Sequence, residues 1–170
     1  FEHTAYEQLS VQLEQQGISA RVLNRAVRGY DLNEVNLRAK TELAENGPFE
    51  LVVYVLVLDD FGLDPIQKPP ASDSWSAVIR FFSHVRNQWS VSQQTTHAYL
   101  NAYTGQRLID GTAGLLELNE KVTDQGGRLL IAIMPLLYDF RTYPFEAIHN
   151  TLNALCETHN LACIDLMATV

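Results

Sequence analysis

Basic residues are scarce in this chain of 170 residues. Twelve Lys and Arg stand against twenty Asp and Glu, which gives a formal net charge of −8. The few basic residues form no run along the sequence. Because proteins that bind nucleic acid neutralise its phosphates with Lys and Arg, an acidic chain without a basic run lacks the usual footprint. We therefore expect no nucleic-acid partner.

Long apolar runs are also missing. The longest cover residues 51–58 and 129–137, and both are far shorter than the ~20 apolar residues that cross a bilayer as a helix. The opening residues, FEHTAYEQLS, lack the basic start and apolar stretch of a signal peptide. We predict no membrane span and no signal peptide in this segment, and the sequence indicates no particular compartment.

Cysteine is the third scarce residue. Cys156 and Cys163 are the two cysteines of the chain, too few for the disulfide framework of a small secreted domain. We predict two buried free thiols, with one bridge between them as the alternative. The metal-binding patterns H-E-x-x-H and C-x-x-C and the phosphate-binding glycine patterns do not occur. We therefore expect no metal and no cofactor.

The composition that remains is that of an ordinary globular domain, with 46% hydrophobic and 19% charged residues. A length of 170 residues corresponds to about one domain. We predict a single α/β domain over residues 1–170 that is incomplete at both ends. Apolar residues at helical spacing predict helices over residues 5–16, 32–45, 75–89, 114–125 and 145–155.

Short apolar segments between these helices predict strands near residues 20–26, 51–58, 128–134 and 162–166. Strands that alternate with helices of this length favour a parallel sheet with helices on both faces. In such sheets ligands bind beyond the carboxyl ends of the strands. The residues that directly follow the strands are therefore the candidates for a functional site.

Gly29 and Asp59 stand out at these strand ends. Gly29 lies five residues after Asn24 and lets the backbone turn sharply with an unobstructed N–H. A polar side chain after the next strand, at Asp59 or Asp60, would lie beside that N–H. Two donors that converge on one point form an oxyanion hole, which stabilises the tetrahedral intermediate of acyl transfer. The alternative is that Gly29 forms only a tight turn and that Asp60 caps a helix.

These residues resemble a known family. The pattern N-x-x-x-x-G-Y (residues 24–30), an apolar strand that ends in Asp59-Asp60, and G-x-L-L-x-x-x-x-P (residues 127–135) occur in this order. They are similar to the SGNH (GDSL-type) hydrolases across most of the chain. The segment FEHTAYEQLSVQLEQQ resembles the helix that follows the family's Gly-Asp-Ser nucleophile block.

The resemblance implies a flavodoxin-like three-layer αβα sandwich, with a mainly parallel sheet, and a Ser-His-Asp ester hydrolase. Gly29 matches the glycine whose N–H contributes to the oxyanion hole, and Asp59 stands where the family has an Asn side chain. Asn24 and Asp60 match supporting positions. The resemblance implies a small-molecule ester as substrate, without a cofactor.

Two departures from the family pattern are plain. Asp59 replaces the Asn, and an ionised carboxylate has no N–H to donate to an oxyanion. No Gly-Asp-Ser and no Asp-x-x-His is present, and none of the histidines follows an Asp by three positions (His3, His84, His97, His149, His159). We expect each histidine to be a surface or partly buried residue, and the catalytic Ser and His to come from outside these residues.

The function predicted from the sequence is ester hydrolysis through a Ser acyl-enzyme. The alternative is an inactive domain of the same fold that binds a ligand or a partner. The resemblance also implies a missing strand between the segments 20–26 and 51–58. We expect either a gap of ~10 Å between them or, if the sheet has closed, direct pairing at ~5 Å.

Overall fold

The computed structural model describes residues 5–65, 77–137 and 140–169. Five α-helices and three β-strands follow one another along this part of the chain. Their bounds are α1 Ala5–Gln15, α2 Leu32–Asn46, β1 Leu51–Val57, α3 Ala77–Ala102, α4 Gly105–Thr123, β2 Arg128–Met134, α5 Glu146–His159 and β3 Ala162–Asp165. Two short 3₁₀ turns, Phe140–Thr142 and Leu166–Thr169, complete the order.

Local sequence explains where α2 begins and ends. The Asp31 carboxylate accepts from the N–H groups of Asn33 and Glu34, and the Glu34 carboxylate accepts from the Asp31 N–H. This capping box satisfies N–H groups that have no partner within the helix. Gly47 follows the last turn, and Pro48 cannot continue a helix. The helix predicted from this pattern is confirmed.

The three strands form an open parallel sheet in the order β1-β2-β3. Val57 pairs with Met134 at the end of β1, and Ile133 pairs with Asp165 at the end of β3. Each pair of neighbouring strands is joined by a connection that contains helices, which a parallel pairing requires. The chain is thus mixed α/β with a parallel sheet, as the alternation of elements predicted.

The core lies on one face of this sheet. Tyr54, Leu56, Ile131 and Ile133 point to that face and are buried. Residues of α2, α4 and α5 pack against them, among them Leu43, Leu115, Leu118, Val122, Ile148 and Leu152. Crossover connections between parallel strands are right-handed, so strands added in one direction place their helices on the same face. This handedness explains why α4 and α5 share a side.

The opposite face of the sheet differs from the prediction of helices on both sides. Leu51, Val53, Val55, Met134 and Ile164 are each about half exposed there. They share the face because side chains alternate along a strand. The register aligns Val55 of β1 with Ala132 of β2, and Ala132 with Ile164 of β3. The described helices therefore leave an apolar surface of the sheet partly open.

The predicted strand at residues 20–26 is wrong. These residues form neither helix nor strand, and most of them are exposed. The side chain of Asn24 accepts a hydrogen bond from the Ala26 N–H at 3.0 Å. Such a local turn competes with sheet formation, and none of the strands in the described residues pairs with the segment. Neither the expected gap nor the expected direct pairing with β1 applies, since both need a strand here.

The predicted free thiols are also wrong, and the alternative holds. Cys156 in α5 and Cys163 in β3 form a disulfide, with their Cα atoms 6.2 Å apart. Asn160 ends α5 in the left-handed conformation with a φ of 53°. This turn reverses the chain direction, so that β3 runs back beside the last turns of α5. The two cysteines face each other for that reason.

The helix α3 is longer than the sequence pattern predicted. Residues 90–102, for which the periodicity predicted no element, continue α3 to Ala102. The first two residues of the helix predicted over residues 75–89 lie outside the described residues. Among the described helices, none is both long enough and apolar enough to span a membrane.

Candidate functional site at the carboxyl edge of the sheet

A tight turn follows β1 and holds the two predicted aspartates. The Asp60 N–H donates to the Val57 carbonyl at 3.0 Å, and the Gly62 N–H donates to the Asp59 carbonyl at 2.9 Å. Gly62 has a φ of 81°, a conformation that glycine adopts without strain. Within this turn Asp59 is exposed, whereas Asp60 is largely covered.

The Asp60 side chain is built into the end of β1. One of its oxygens, Oδ2, accepts from the Val57 N–H at 3.0 Å and from the Tyr54 hydroxyl. Burial raises the pKa of Asp60 to about 6, although the bonds from Tyr54 and Val57 act in the opposite direction. The Asp60 carboxyl therefore holds the strand end together, which is a structural role rather than contact with a ligand.

Asp59 faces outward beside two tyrosines. Burial, and secondly the charges of Asp60 and Asp59, raise the pKa of Tyr103. Burial raises the pKa of Tyr99 as well, with the charge of Asp59 as the second cause. The Tyr103 hydroxyl is buried and has no hydrogen-bond partner in the described part of the chain. The candidate site thus has an aromatic wall next to a carboxylate.

Gly29 lies in a turn just before α2. The Tyr30 N–H points back to the Val27 carbonyl at 3.5 Å, and Gly29 has a φ of 84°. This is the position at which a type II turn needs glycine. A Cβ there would meet nothing within 4 Å, so the space around Gly29 is open.

The start of α2 is tied to the end of β1. The Leu32 N–H donates to the Asp60 carbonyl at 3.1 Å, three residues after Gly29. The structure therefore brings the Gly29 turn and the Asp59-Asp60 turn to neighbouring positions. Asn24 is exposed and accepts a local hydrogen bond from the Ala26 N–H. No described contact joins it to Gly29, Asp59 or Asp60.

A buried hydrogen-bond network lies at the end of β3 and was not predicted from the sequence. His149 in α5 is 1% exposed, and its Nδ1 lies 2.8 Å from Asp165 Oδ1. Its other nitrogen, Nε2, lies 3.0 Å from the Tyr143 hydroxyl, which accepts from the Leu136 N–H at 3.1 Å. The expectation of a surface or partly buried residue is therefore wrong for His149.

Further bonds fix the acid of this network. Asp165 Oδ2 accepts from the Asn153 side chain at 2.9 Å, and Oδ1 accepts from the Met167 N–H at 3.0 Å. The pKa of Asp165 is lowered: burial raises it, but the bonds from Asn153, Met167 and His149 outweigh that effect. Because an ionised carboxylate has no proton to donate, His149 Nδ1 is the donor in its bond to Asp165.

Local motifs could not have revealed this network, because His149 and Asp165 are sixteen residues apart. One signal was present in the sequence. His149 lies four residues after Phe145 and three before Leu152, on the apolar stripe of α5. A polar residue on a buried stripe needs a hydrogen-bond partner. The acid at the end of the next strand, Asp165, is the natural candidate.

A cleft of about 390 Å³ lies beside these residues. It separates α3 from the segment that follows β2, and it is lined by Ser92, Thr95, Thr96, Tyr99, Leu136, Leu137 and Phe145. The Tyr99 and Phe145 rings pack with their centroids 5.2 Å apart. The volume lies within the range of small-molecule sites, which is roughly 300–1,000 Å³.

No group of three or more His, Cys, Asp or Glu side chains within the described residues is arranged to hold a metal ion. The chain was also compared with known proteins. No family model matches it, and no curated protein or solved structure does.

Proposed function

We propose that this chain is the body of an SGNH-type ester hydrolase with a flavodoxin-like αβα fold. In this proposal the nucleophilic Ser and the base His come from sequence outside the 170 residues. The observation that carries it is the exposed Asp59 at the carboxyl end of a parallel strand, next to the turn in which Gly29 adopts a positive φ. By resemblance, these residues stand at the glycine and asparagine positions of the family's oxyanion hole, whose third donor is the N–H of the nucleophile.

The proposed reaction has two steps. The Ser hydroxyl attacks the ester carbonyl, its proton passes to the His, and the alcohol leaves with that proton. Water then attacks the acyl-enzyme in the same way and releases the acid. The Gly29 N–H would donate to the oxyanion of both tetrahedral intermediates. A neutral side chain at position 59 would supply a second donor.

Asp59 is the weak point of such a hole. When ionised it offers no donor, and its charge opposes the negative charge that develops on the oxygen. Loss of one donor of this kind costs ~10²–10³ in kcat. We therefore propose a slow enzyme at neutral pH, with Asp59 as the residue that limits its rate.

A second function follows from the same residue. If Asp59 abolishes the reaction, the chain is a non-catalytic domain of the same fold that binds a ligand or partner at this edge. The carboxylate at position 59 favours this alternative, and the cleft beside Tyr99 offers a place for a ligand.

Expression of the complete gene product tests the proposal. We expect hydrolysis of p-nitrophenyl butyrate and covalent labelling of one Ser by a fluorophosphonate, whereas the 170 residues alone give neither. Asp59→Asn in the complete protein should raise kcat at least tenfold. Asp124→Asn, another exposed acid, is the matched control and should change nothing.

Three results would count against the hydrolase. The complete protein could lack both hydrolysis and labelling, which would leave the binding domain. Activity in the 170 residues alone would place the nucleophile within this segment. An unchanged or lower kcat in Asp59→Asn would put Asp59 outside the oxyanion hole.

A further inference from the structure

We propose that the cleft between α3 and the segment after β2 binds a neutral, apolar group of a ligand. Resting on the proposed function, we assign this group as the acyl part of the ester. Three features lie at the same edge of the sheet: a cleft whose described lining is uncharged, a hydrogen-bonded segment after β2 that forms one wall, and the candidate oxyanion position.

The lining of the cleft selects against charge. The seven side chains that line it in the described part of the chain are three aliphatic or aromatic hydrocarbons, three hydroxyl residues with short side chains and one tyrosine. Two of the hydroxyls are already used, since Thr95 donates to the Val91 carbonyl at 2.7 Å and Thr96 to the Ser92 carbonyl at 3.1 Å. None of these seven described residues is a cation or an anion at neutral pH. An ionised ligand would lose its hydration there and gain no partner.

One side chain at the cleft is unusually open. Leu137 is 95% exposed, the largest value among the exposed large hydrophobic residues of the described chain. It follows Leu136, which also lines the cleft. An apolar ligand would cover Leu137 and remove its side chain from water, which favours binding. The Tyr99 ring, which packs against the buried Phe145 ring, lines the same cleft.

The wall that carries these leucines is held in place from within. The Leu136 N–H donates to Tyr143, whose hydroxyl contacts His149, and His149 is bonded to Asp165. The Tyr143 ring also packs edge-on against Phe145, with centroids 5.5 Å apart. A wall anchored by buried hydrogen bonds does not have to be ordered when the ligand binds, which preserves affinity.

The position of the cleft links it to the candidate oxyanion hole. Val57 and Met134 are paired at the ends of β1 and β2. Asp59 and Leu136 each come two residues later, so they leave the sheet at the same level on neighbouring strands. Tyr99, which lines the cleft, lies close enough to Asp59 for its pKa to respond to that charge. An acyl chain that leaves an ester carbonyl beside Asp59 would meet this cleft.

Titration of the isotope-labelled 170-residue chain with methyl hexanoate tests the assignment by NMR, without any need for catalysis. We expect saturable shifts confined to the amides of the cleft, at Thr95, Thr96, Leu136 and Leu137. The hexanoate ion, of the same chain length, should bind at least tenfold more weakly. Ser92→Trp should weaken binding of the ester at least tenfold, because an indole on this exposed position fills the cleft.

Thr158→Trp is the matched control, since Thr158 is also an exposed hydroxyl residue on a helix but lies on α5, outside the cleft lining. It should bind the ester as the parent chain does. Shifts at the open sheet face instead of the cleft, no saturable shifts, or equal binding of ester and ion would each overturn the proposal. So would undiminished binding by a folded Ser92→Trp variant.

The outcome is separable from that of the proposed function. Saturable binding in the cleft with an inactive complete protein would retain the ligand site and reject the hydrolase. An active complete protein whose 170-residue body shows no cleft binding would retain the hydrolase and reject this acyl site.

Discussion

His149 Nδ1 lies 2.8 Å from Asp165 Oδ1, and this bond joins the first turn of α5 to the end of β3. The pair continues through Tyr143 to the backbone of Leu136 after β2. One buried ring thus connects the ends of two neighbouring strands with the helix between them. No local pattern in the sequence predicts this bond. It nevertheless holds together the edge of the sheet at which we place the function.

His149→Leu should lower the free energy of unfolding by roughly 2–4 kcal/mol, because it removes two buried hydrogen bonds, one to Asp165 and one to Tyr143. Urea unfolding with the disulfide intact measures the change. His97→Leu, at an exposed histidine of α3, is the control and should cost less than about 0.5 kcal/mol. Equal losses in the two variants would mean that the network contributes nothing.

Asp60 should make stability depend on pH. Its pKa is about 6 in the folded chain against an ordinary value of 3.8. The folded state therefore binds more protons between about pH 4 and 6, and the contribution of Asp60 to stability falls as the pH rises through that window. Urea unfolding from pH 4 to 8 should show the parent chain losing stability relative to Asp60→Asn.

Asp124→Asn controls for the loss of one exposed negative charge. The difference in free energy of unfolding between the parent chain and Asp124→Asn should not change with pH in this way between pH 4 and 6. A difference between the parent and Asp60→Asn that stays flat, or that grows in favour of the parent as the pH rises, would contradict the raised pKa.

Reduction of the bridge between Cys156 and Cys163 should destabilise the chain by about 2–3 kcal/mol, the loop-entropy value for cysteines seven residues apart. Urea unfolding with and without a thiol reductant measures this. The double variant Cys156→Ser, Cys163→Ser should unfold like the reduced chain and ignore the reductant. If the stability of the parent chain did not respond to the reductant, and two thiols could be titrated in it, the bridge would not form.

The open face and the outer edge of β1 should cause the 170-residue chain to self-associate, because unpaired apolar strands recruit other chains. Sedimentation of Val55→Lys should then show less association than the parent. Val85→Lys is a closely matched control, since Val55 and Val85 are both 46% exposed but Val85 lies on α3. Equal reduction by both variants would assign the effect to net charge instead of the sheet.

Much of the fold followed from local sequence. The Asp31-Glu34 box defines the start of α2, and the apolar runs at residues 51–57 and 128–134 became neighbouring parallel strands. The Asp59-Asp60 turn directly follows β1, at the carboxyl edge of the sheet. Capping and side-chain periodicity act over short stretches of chain, so the local sequence reveals them.

Other features depended on contacts between distant parts of the chain. Residues 20–26 have strand-like side chains, but a strand needs a neighbour for its N–H and C=O groups, and Asn24 offered a local turn instead. The same logic separates Asp60 from Asp59: they are adjacent and chemically identical, yet the Tyr54 hydroxyl and the Val57 N–H hold only Asp60. Sequence determined which residues reach the edge of the sheet. Tertiary packing decided which are buried and paired, because burial is set by what lies opposite.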